Sequence, residues 1–221
     1  MMEFQNLSPL VQEYLQNLLK GNRSNCSVIT RQYLEKNPSI KDLYEEIFKV
    51  SLYEIGRLWE TNQITVATEH MATAITEGIL NELFEQINSD RKYNKKVVVA
   101  CVEGEHHQVG IKMVADVFEM KGWESFFLGT GIPTNELIRF ISETQPDLLA
   151  ISMSVYFSLA NLLKMLEIIR AQFPDLQIIV GGQAFTRITD DVFQRLGNVV
   201  LLTDLYLLEK YIDSINANIK T

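Results

Sequence analysis

Up to about residue 90 the apolar positions recur every three or four residues. Beyond it, short β-branched runs alternate with amphipathic stretches. The first pattern is helical and the second is strand–helix alternation. Leu7, Leu10, Val11, Tyr14, Leu15 and Leu18 make one face of a first helix, which Gly21-Asn22 stops. Residues 24–37 form a second, closed by Pro38, because a proline disfavours the helical conformation in the residue before it. Residues 40–60 read as a third, with Leu43, Ile47, Val50, Tyr53 and Leu58 among its apolar positions. Thr61-Asn62-Gln63 is a turn, and Thr65 an N-cap for a fourth helix running to about residue 87. Four helices joined by short loops imply an antiparallel bundle over residues 1–88.

Residues 89–96 (SDRKYNKK) are polar and charged and read as a linker. Strands are then expected at 97–102, 126–128, 148–152, 177–180 and 199–201. Helices are expected after the first strand to about 121, then at 135–143 and 159–173, more weakly at 190–196, and at 205–215. This alternation over residues 97–221 implies a parallel sheet with helices on both faces, in the five-stranded flavodoxin-like (Rossmann-like) version. The fold class expected is therefore α/β, with a four-helix bundle ahead of the sheet.

Composition narrows the functions available. In 221 residues, 47% apolar and 22% charged positions are ordinary for a globular chain. Twenty Lys and Arg against 28 Asp and Glu give −8. That charge is no electrostatic footprint for nucleic acid or anionic lipid, so direct nucleic-acid binding is not expected. The longest charge-free stretch, residues 148–163, falls short of a membrane span of about 20 residues. No basic segment followed by an apolar one opens the chain, and Cys26 and Cys101 make no framework. A reduced, cytoplasmic setting is the expectation.

In a sheet of this kind ligands bind beyond the carboxyl ends of the strands. The loop after strand one is Glu103-Gly104-Glu105-His106-His107-Gln108-Val109-Gly110. Ser152-Met153-Ser154 follows strand three, and Gly181-Gly182 follows strand four. Of three histidines, His106 and His107 share the first of these loops, and His70 lies in the bundle. Alone, the pair reads as solvated loop residues. As a ligand, His107 has Glu105 two residues away to orient its other ring nitrogen. Other chemistries lack residues. The loop has no GxGxxG, the chain has no GxxxxGK[ST], Ser152 stands where a phosphoacceptor domain has aspartate, and zinc hydrolysis needs three ligands in one site.

The spacing resembles the cobalamin-binding signature Asp-x-His-x-x-Gly, Ser-x-Leu, Gly-Gly. Glu105-x-His107-x-x-Gly110 supplies its first element, with Glu for Asp. Residues 111–151 fill the first gap. Ser152-Met153-Ser154 supplies the second element, with Ser154 where Leu is usual. Residues 155–180 fill the second gap, and Gly181-Gly182 closes the pattern. The resemblance covers about residues 95–205. It implies that His107 is the lower axial ligand of cobalt in place of the cofactor's own base. Glu105 then holds the imidazole, and His106, Gln108, Val109 and Gly110 flank it. Ser152 and Ser154 face the displaced nucleotide tail, and the two glycines let backbone approach that tail closely.

Trp59 is followed by nine residues and then Glu69-His70. The turn between helices three and four puts all three at one end of the bundle, which is expected to cap the upper face of a macrocycle. Alone, the trio reads as a core tryptophan and an exposed helix start. Beside a corrinoid signature, Trp-x9-Glu-His resembles the light-sensing CarH/LitR-type photoreceptors. That resemblance implies adenosylcobalamin held in the dark, Trp59 and Glu69 shaping the adenosyl pocket, and His70 as a possible upper cobalt ligand after photolysis. Methylcobalamin or hydroxocobalamin are the other forms considered.

Only about 22 residues precede the second helix, and they are not basic, so the sequence reads as a sensor without the DNA-binding domain of those photoreceptors. It is then expected to act through its own oligomer or a regulatory partner protein, with no catalysis of its own. The alternatives are a corrinoid methyl carrier for a methyltransferase system, and a binder of another tetrapyrrole in the same pocket.

Overall fold

The computed structural model describes residues 7–87, 89–187 and 190–218. The chain divides into two compact units, Met1–Gln86 and Ile87–Thr221.

The first unit is helical: α1 (Pro9–Leu19), α2 (Arg23–Lys36), α3 (Ile40–Leu43), α4 (Val50–Glu60) and α5 (Val66–Leu83). Side-chain oxygens start the helices where the sequence supplies them. Ser8 accepts from the Val11 N–H ahead of Pro9, Asn22 from Asn25, and Thr65 from Thr68. The third expected helix differs in one respect. A π-helical segment, Tyr44–Lys49, joins α3 to α4. Tyr44, Ile47 and Phe48 of this segment, spaced three and four apart, are all buried in the core. Phe48 stacks on Tyr14 at 5.4 Å and on Tyr44 at 5.7 Å between ring centroids. Leu15, Leu18, Ile55, Leu58, Ile79 and Leu80 are among the other residues buried in this unit. Helix α5 ends at Leu83 and tightens into a 3-10 turn, Phe84–Gln86.

The second unit carries β1 (Lys96–Cys101), β2 (Glu124–Gly129), β3 (Leu148–Ser152), β4 (Gln177–Gly181) and β5 (Val199–Leu201). All pairings are parallel, in the order β2-β1-β3-β4-β5. This is the flavodoxin-like order, whose reversal falls between β1 and β3. Helices α6 (Val109–Met120), α7 (Thr134–Thr144), α8 (Leu159–Gln172) and α9 (Leu205–Ala217) make the crossovers and the end of the described chain. The weak helix expected at 190–196 is a 3-10 segment, Asp190–Leu196. Strand β3 is buried throughout and β1 almost so, which is why they read as unbroken apolar runs rather than alternating ones. Before β1 the chain already binds this unit: the Tyr93 N–H donates to the Gly122 carbonyl at 3.0 Å, and Lys95 Nζ bonds Asp147 at 2.6 Å.

Candidate functional site

The carboxyl ends of β1, β3 and β4 meet in register: Cys101 pairs with Ser152, and Ser152 with Gly181. The three loops read as chemical in the sequence therefore leave the sheet side by side.

The loop after β1 is organised by one carboxylate. Glu105 is 2% exposed. Its Oε1 accepts the main-chain N–H groups of His106 and His107 at 2.9 and 3.1 Å, and the His107 Nδ1–H at 2.5 Å. Its Oε2 accepts the main-chain N–H groups of Ser154 and Val155 at 2.8 and 3.1 Å. Burial by itself pushes a carboxyl pKa up. Here the hydrogen bonds from His107 and from the Ser154 and His107 main chain outweigh it and hold the group at about 2. The His107 side chain is 47% exposed, and its carbonyl accepts the buried Cys101 thiol at 3.5 Å. His106 is exposed and contributes its backbone N–H. Gln108 occupies the N-cap position of α6 without a side-chain cap bond, and Val109 is buried at the first helical position.

Ser152 is buried at the end of β3. Ser154 enters the site through its backbone N–H, which any residue type except proline supplies, so a serine where the signature carries leucine leaves that bond intact. Gly181 and Gly182 prove necessary to the chain itself. A Cβ on Gly181 would lie 2.5 Å from the Leu202 carbonyl. One on Gly182, whose φ is +117°, would lie 2.4 Å from the Met153 carbonyl and 2.9 Å from Ser152 Oγ. A Cβ on Gly110, by contrast, would meet nothing within 4 Å.

In the helical unit, Trp59 is the penultimate residue of α4 and 44% exposed. Glu69 and His70 lie in the first turns of α5. One oxygen of Glu69 accepts His70 Nδ1, and the other accepts Thr73 Oγ1 at 3.0 Å. The Glu69 side chain is 13% exposed and that of His70 is 76% exposed. Sequence reasoning missed Val155 and Cys101. Val155 acts through its main chain, and Cys101 reads like any small buried residue, so neither left a residue-type signal.

This donor set fits a cobalt carried in a macrocycle. Among the described residues no three His, Cys, Asp or Glu side chains gather into a metal-holding group. A corrin would bring four nitrogens of its own, so a single protein imidazole would suffice as a further ligand, and His107 is the residue that would provide it. His107, with Nδ1 committed to a buried carboxylate, has the tautomer that presents Nε2 as a ligand.

A parallel sheet in this order, with an oriented histidine in the loop after β1, fits a corrinoid-binding fold. Residues 95–203 match the family described as B12 binding domain, and residues 10–83 match a second family of the same description. The chain belongs to the B12-binding domain proteins, and it is a cobalamin-binding protein. It is 24% identical over 185 residues to the HTH-type transcriptional repressor CarH of Myxococcus xanthus, a match covering 81% of this chain and 61% of that protein. It therefore spans less than two thirds of that curated relative. It is 24% identical over 153 residues to the trimethylamine corrinoid protein 1 of Methanosarcina acetivorans, covering 66% of this chain and 70% of the other. The solved monomethylamine corrinoid protein of Methanosarcina barkeri shares the fold, with a TM-score of 0.80 at 13% identity, over 93% of this chain and 98% of that one. No helix among the described residues is long and apolar enough to cross a membrane.

Proposed function

We propose that the protein is a cobalamin-dependent light sensor, a binding module that signals rather than catalyses. The observation that carries this reading is the second carboxylate–imidazole pair. Glu69 holds His70 by Nδ1 just as Glu105 holds His107, and it does so on the helix that follows the one bearing the exposed Trp59. A histidine oriented in this way is prepared to be a ligand. The similarity to CarH supports the same reading.

Adenosylcobalamin, when bound, supplies a cobalt–carbon bond that light breaks. The rest is the work of this chain. His107 would hold the cofactor's cobalt, with its ring fixed by Glu105. His106, Gln108, Val109 and Gly110 form the turn around that ring, and Ser152, Ser154, Gly181 and Gly182 would accommodate the nucleotide tail. Trp59 and Glu69 would shape the adenosyl pocket, and His70 is the residue that would hold cobalt once the adenosyl group has left. The signal then passes to a second copy or to a regulatory partner protein in the cytoplasm, without direct contact to nucleic acid.

The purified protein, reconstituted with adenosylcobalamin in the dark, should change both its visible spectrum and its assembly state on illumination. His70→Ala should alter the illuminated spectrum while leaving the dark one intact. Identical dark and illuminated samples would refute light sensing.

The similarity to corrinoid proteins supports a second reading, a methyl carrier for a methyltransferase. Methyl transfer to an acceptor, indifferent to His70→Ala, would favour it. The spectrum of the protein as purified distinguishes both from a carrier of another tetrapyrrole.

A further inference from the structure

The bond between Glu105 and His107 uses one carboxylate oxygen. The other is spent on a different loop, on the main-chain N–H groups of Ser154 and Val155, 49 and 50 residues further along the chain. Those residues begin a short segment of unusual exposure for its composition: Val155 is 36% exposed, Tyr156 55% and Phe157 92%. Helix α8 starts immediately afterwards, at Leu159. The exposed segment is therefore fixed at its start by Glu105 and at its end by a helix whose Leu162, Met165 and Leu166 are buried.

We propose that Glu105 is a clamp between two loops, so that the orientation of the His107 ring and the conformation of residues 154–157 are set by one side chain. Glutamate, rather than the aspartate of the related signature, is what the clamp requires. The carboxylate must reach Ser154 and Val155 with one oxygen while the other stays on the His106 and His107 N–H groups and the His107 ring. Ser152 lies at the same strand end but is not among the hydrogen-bond partners of this carboxylate. A shorter side chain has one methylene less with which to bridge the two loops. Because a buried ionised acceptor makes strong, costly-to-lose bonds, the clamp is stiff, and a shift of the ring is transmitted to the segment carrying Tyr156 and Phe157. Glu105 is in this sense a positioning residue for both the ligand and the loop.

The decisive measurement uses the full chain without added cobalamin, so it does not depend on the function proposed above. In the native protein the amides of Ser154 and Val155 should be protected from hydrogen exchange by NMR. Free exchange at both would overturn the clamp without any variant being made. In Glu105→Asp those two amides should exchange about ten-fold faster or more, a loss of the order expected for hydrogen bonds to a charged group. The amides of β4 should keep their rates, and chymotrypsin should cut after Tyr156 and Phe157 sooner. Unchanged exchange at both amides in this variant would also overturn it. Failure of the native protein to take up hydroxocobalamin would sink the cobalamin reading and leave the amide result to decide the clamp.

Discussion

His107 Nδ1 lies 2.5 Å from Glu105 Oε1, with the carboxylate buried and the ring half exposed. A histidine between bulk water and a buried anion has its proton on the nitrogen facing the anion, which fixes the tautomer. The ring is also anchored from behind, because its own main-chain N–H is bound by the same oxygen. Replacing it by His107→Ala should leave a folded protein that still takes up cobalamin more weakly, by roughly 10–100-fold if the ligand bond matters as much as its supporting shell. The visible spectrum of the complex should lose the signature of a nitrogen ligand, and added imidazole should restore it. A native spectrum in the variant would remove His107 from the lower face.

The pH dependence of stability has a defined sign at Glu105. Its pKa is lowered from 4.5 to about 2 on folding, so the unfolded chain takes up the proton first as pH falls. The stabilisation is complete above pH 4.5 and is lost as pH drops through the folded value near 2. The shift corresponds to about 3 kcal/mol at neutral pH. Glu105→Gln should therefore be less stable than native at pH 7 by an amount of that order, and the gap should narrow between pH 4.5 and 2. Denaturant midpoints across that window test it, and a gap independent of pH would show that the lost stability is not electrostatic.

Two kinds of glycine meet at the site and should respond oppositely to alanine. At Gly181 and Gly182 the added Cβ meets backbone carbonyls at 2.5 and 2.4 Å, and Gly182 sits at φ +117°, so both alanine variants should destabilise the protein with no cofactor added. Gly110 lies in the first turn of α6 with no neighbour against its missing Cβ. There alanine removes the conformational freedom of glycine from the unfolded chain and should stabilise by about 0.4–1 kcal/mol. If Gly110 is kept for the cofactor's sake, the same variant should bind cobalamin less tightly. Thermal melts and cobalamin titrations of the three variants separate the two roles.

The sheet was legible because strands buried on both faces leave apolar, β-branched runs such as residues 97–102 and 148–152, bounded by loops rich in glycine and polar residues. The bundle was legible because its apolar positions recur at three and four residues and because Thr65 is a residue type with a local preference for helix starts; Ser8 and Asn22 cap α1 and α2 in the same way, but the sequence reading did not single them out as caps. The π-helical segment at Tyr44–Lys49 was not. Its buried residues, Tyr44, Ile47 and Phe48, keep the three-and-four spacing of an ordinary helix, so the apolar pattern does not mark it; Phe48 stacks there on Tyr14 and Tyr44. At the site, Glu105 and His107 stood out by residue type and spacing. The second half of the arrangement is made of backbone N–H groups at Ser154 and Val155 and backbone carbonyls at Met153 and Leu202, which nearly every residue carries and no pattern marks. For the same reason the sequence could not say that Gly181 and Gly182 answer first to their own chain.

Arg170 has no part in cofactor chemistry, and it gives a prediction that separates fold from site. Its Nη1 donates to the carbonyls of Phe173, Pro174 and Leu176, and its Nη2 to those of Gly197 and, more distantly, Asn198. One guanidinium thus gathers the end of α8, the start of β4 and the turn into β5. Burial lowers its pKa from the usual guanidinium value, although the group stays charged. A lysine offers one ammonium and no planar fork, so it cannot reach both groups of carbonyls. Arg170→Lys should cost about 1–3 kcal/mol by leaving acceptors without their charged donor. It should do so without altering the spectrum of bound cobalamin, because the residue serves the opposite ends of the strands from Glu105 and His107. Denaturant unfolding gives the first number and visible spectroscopy the second. A loss of histidine coordination in this variant would mean that the two ends of the sheet are mechanically linked.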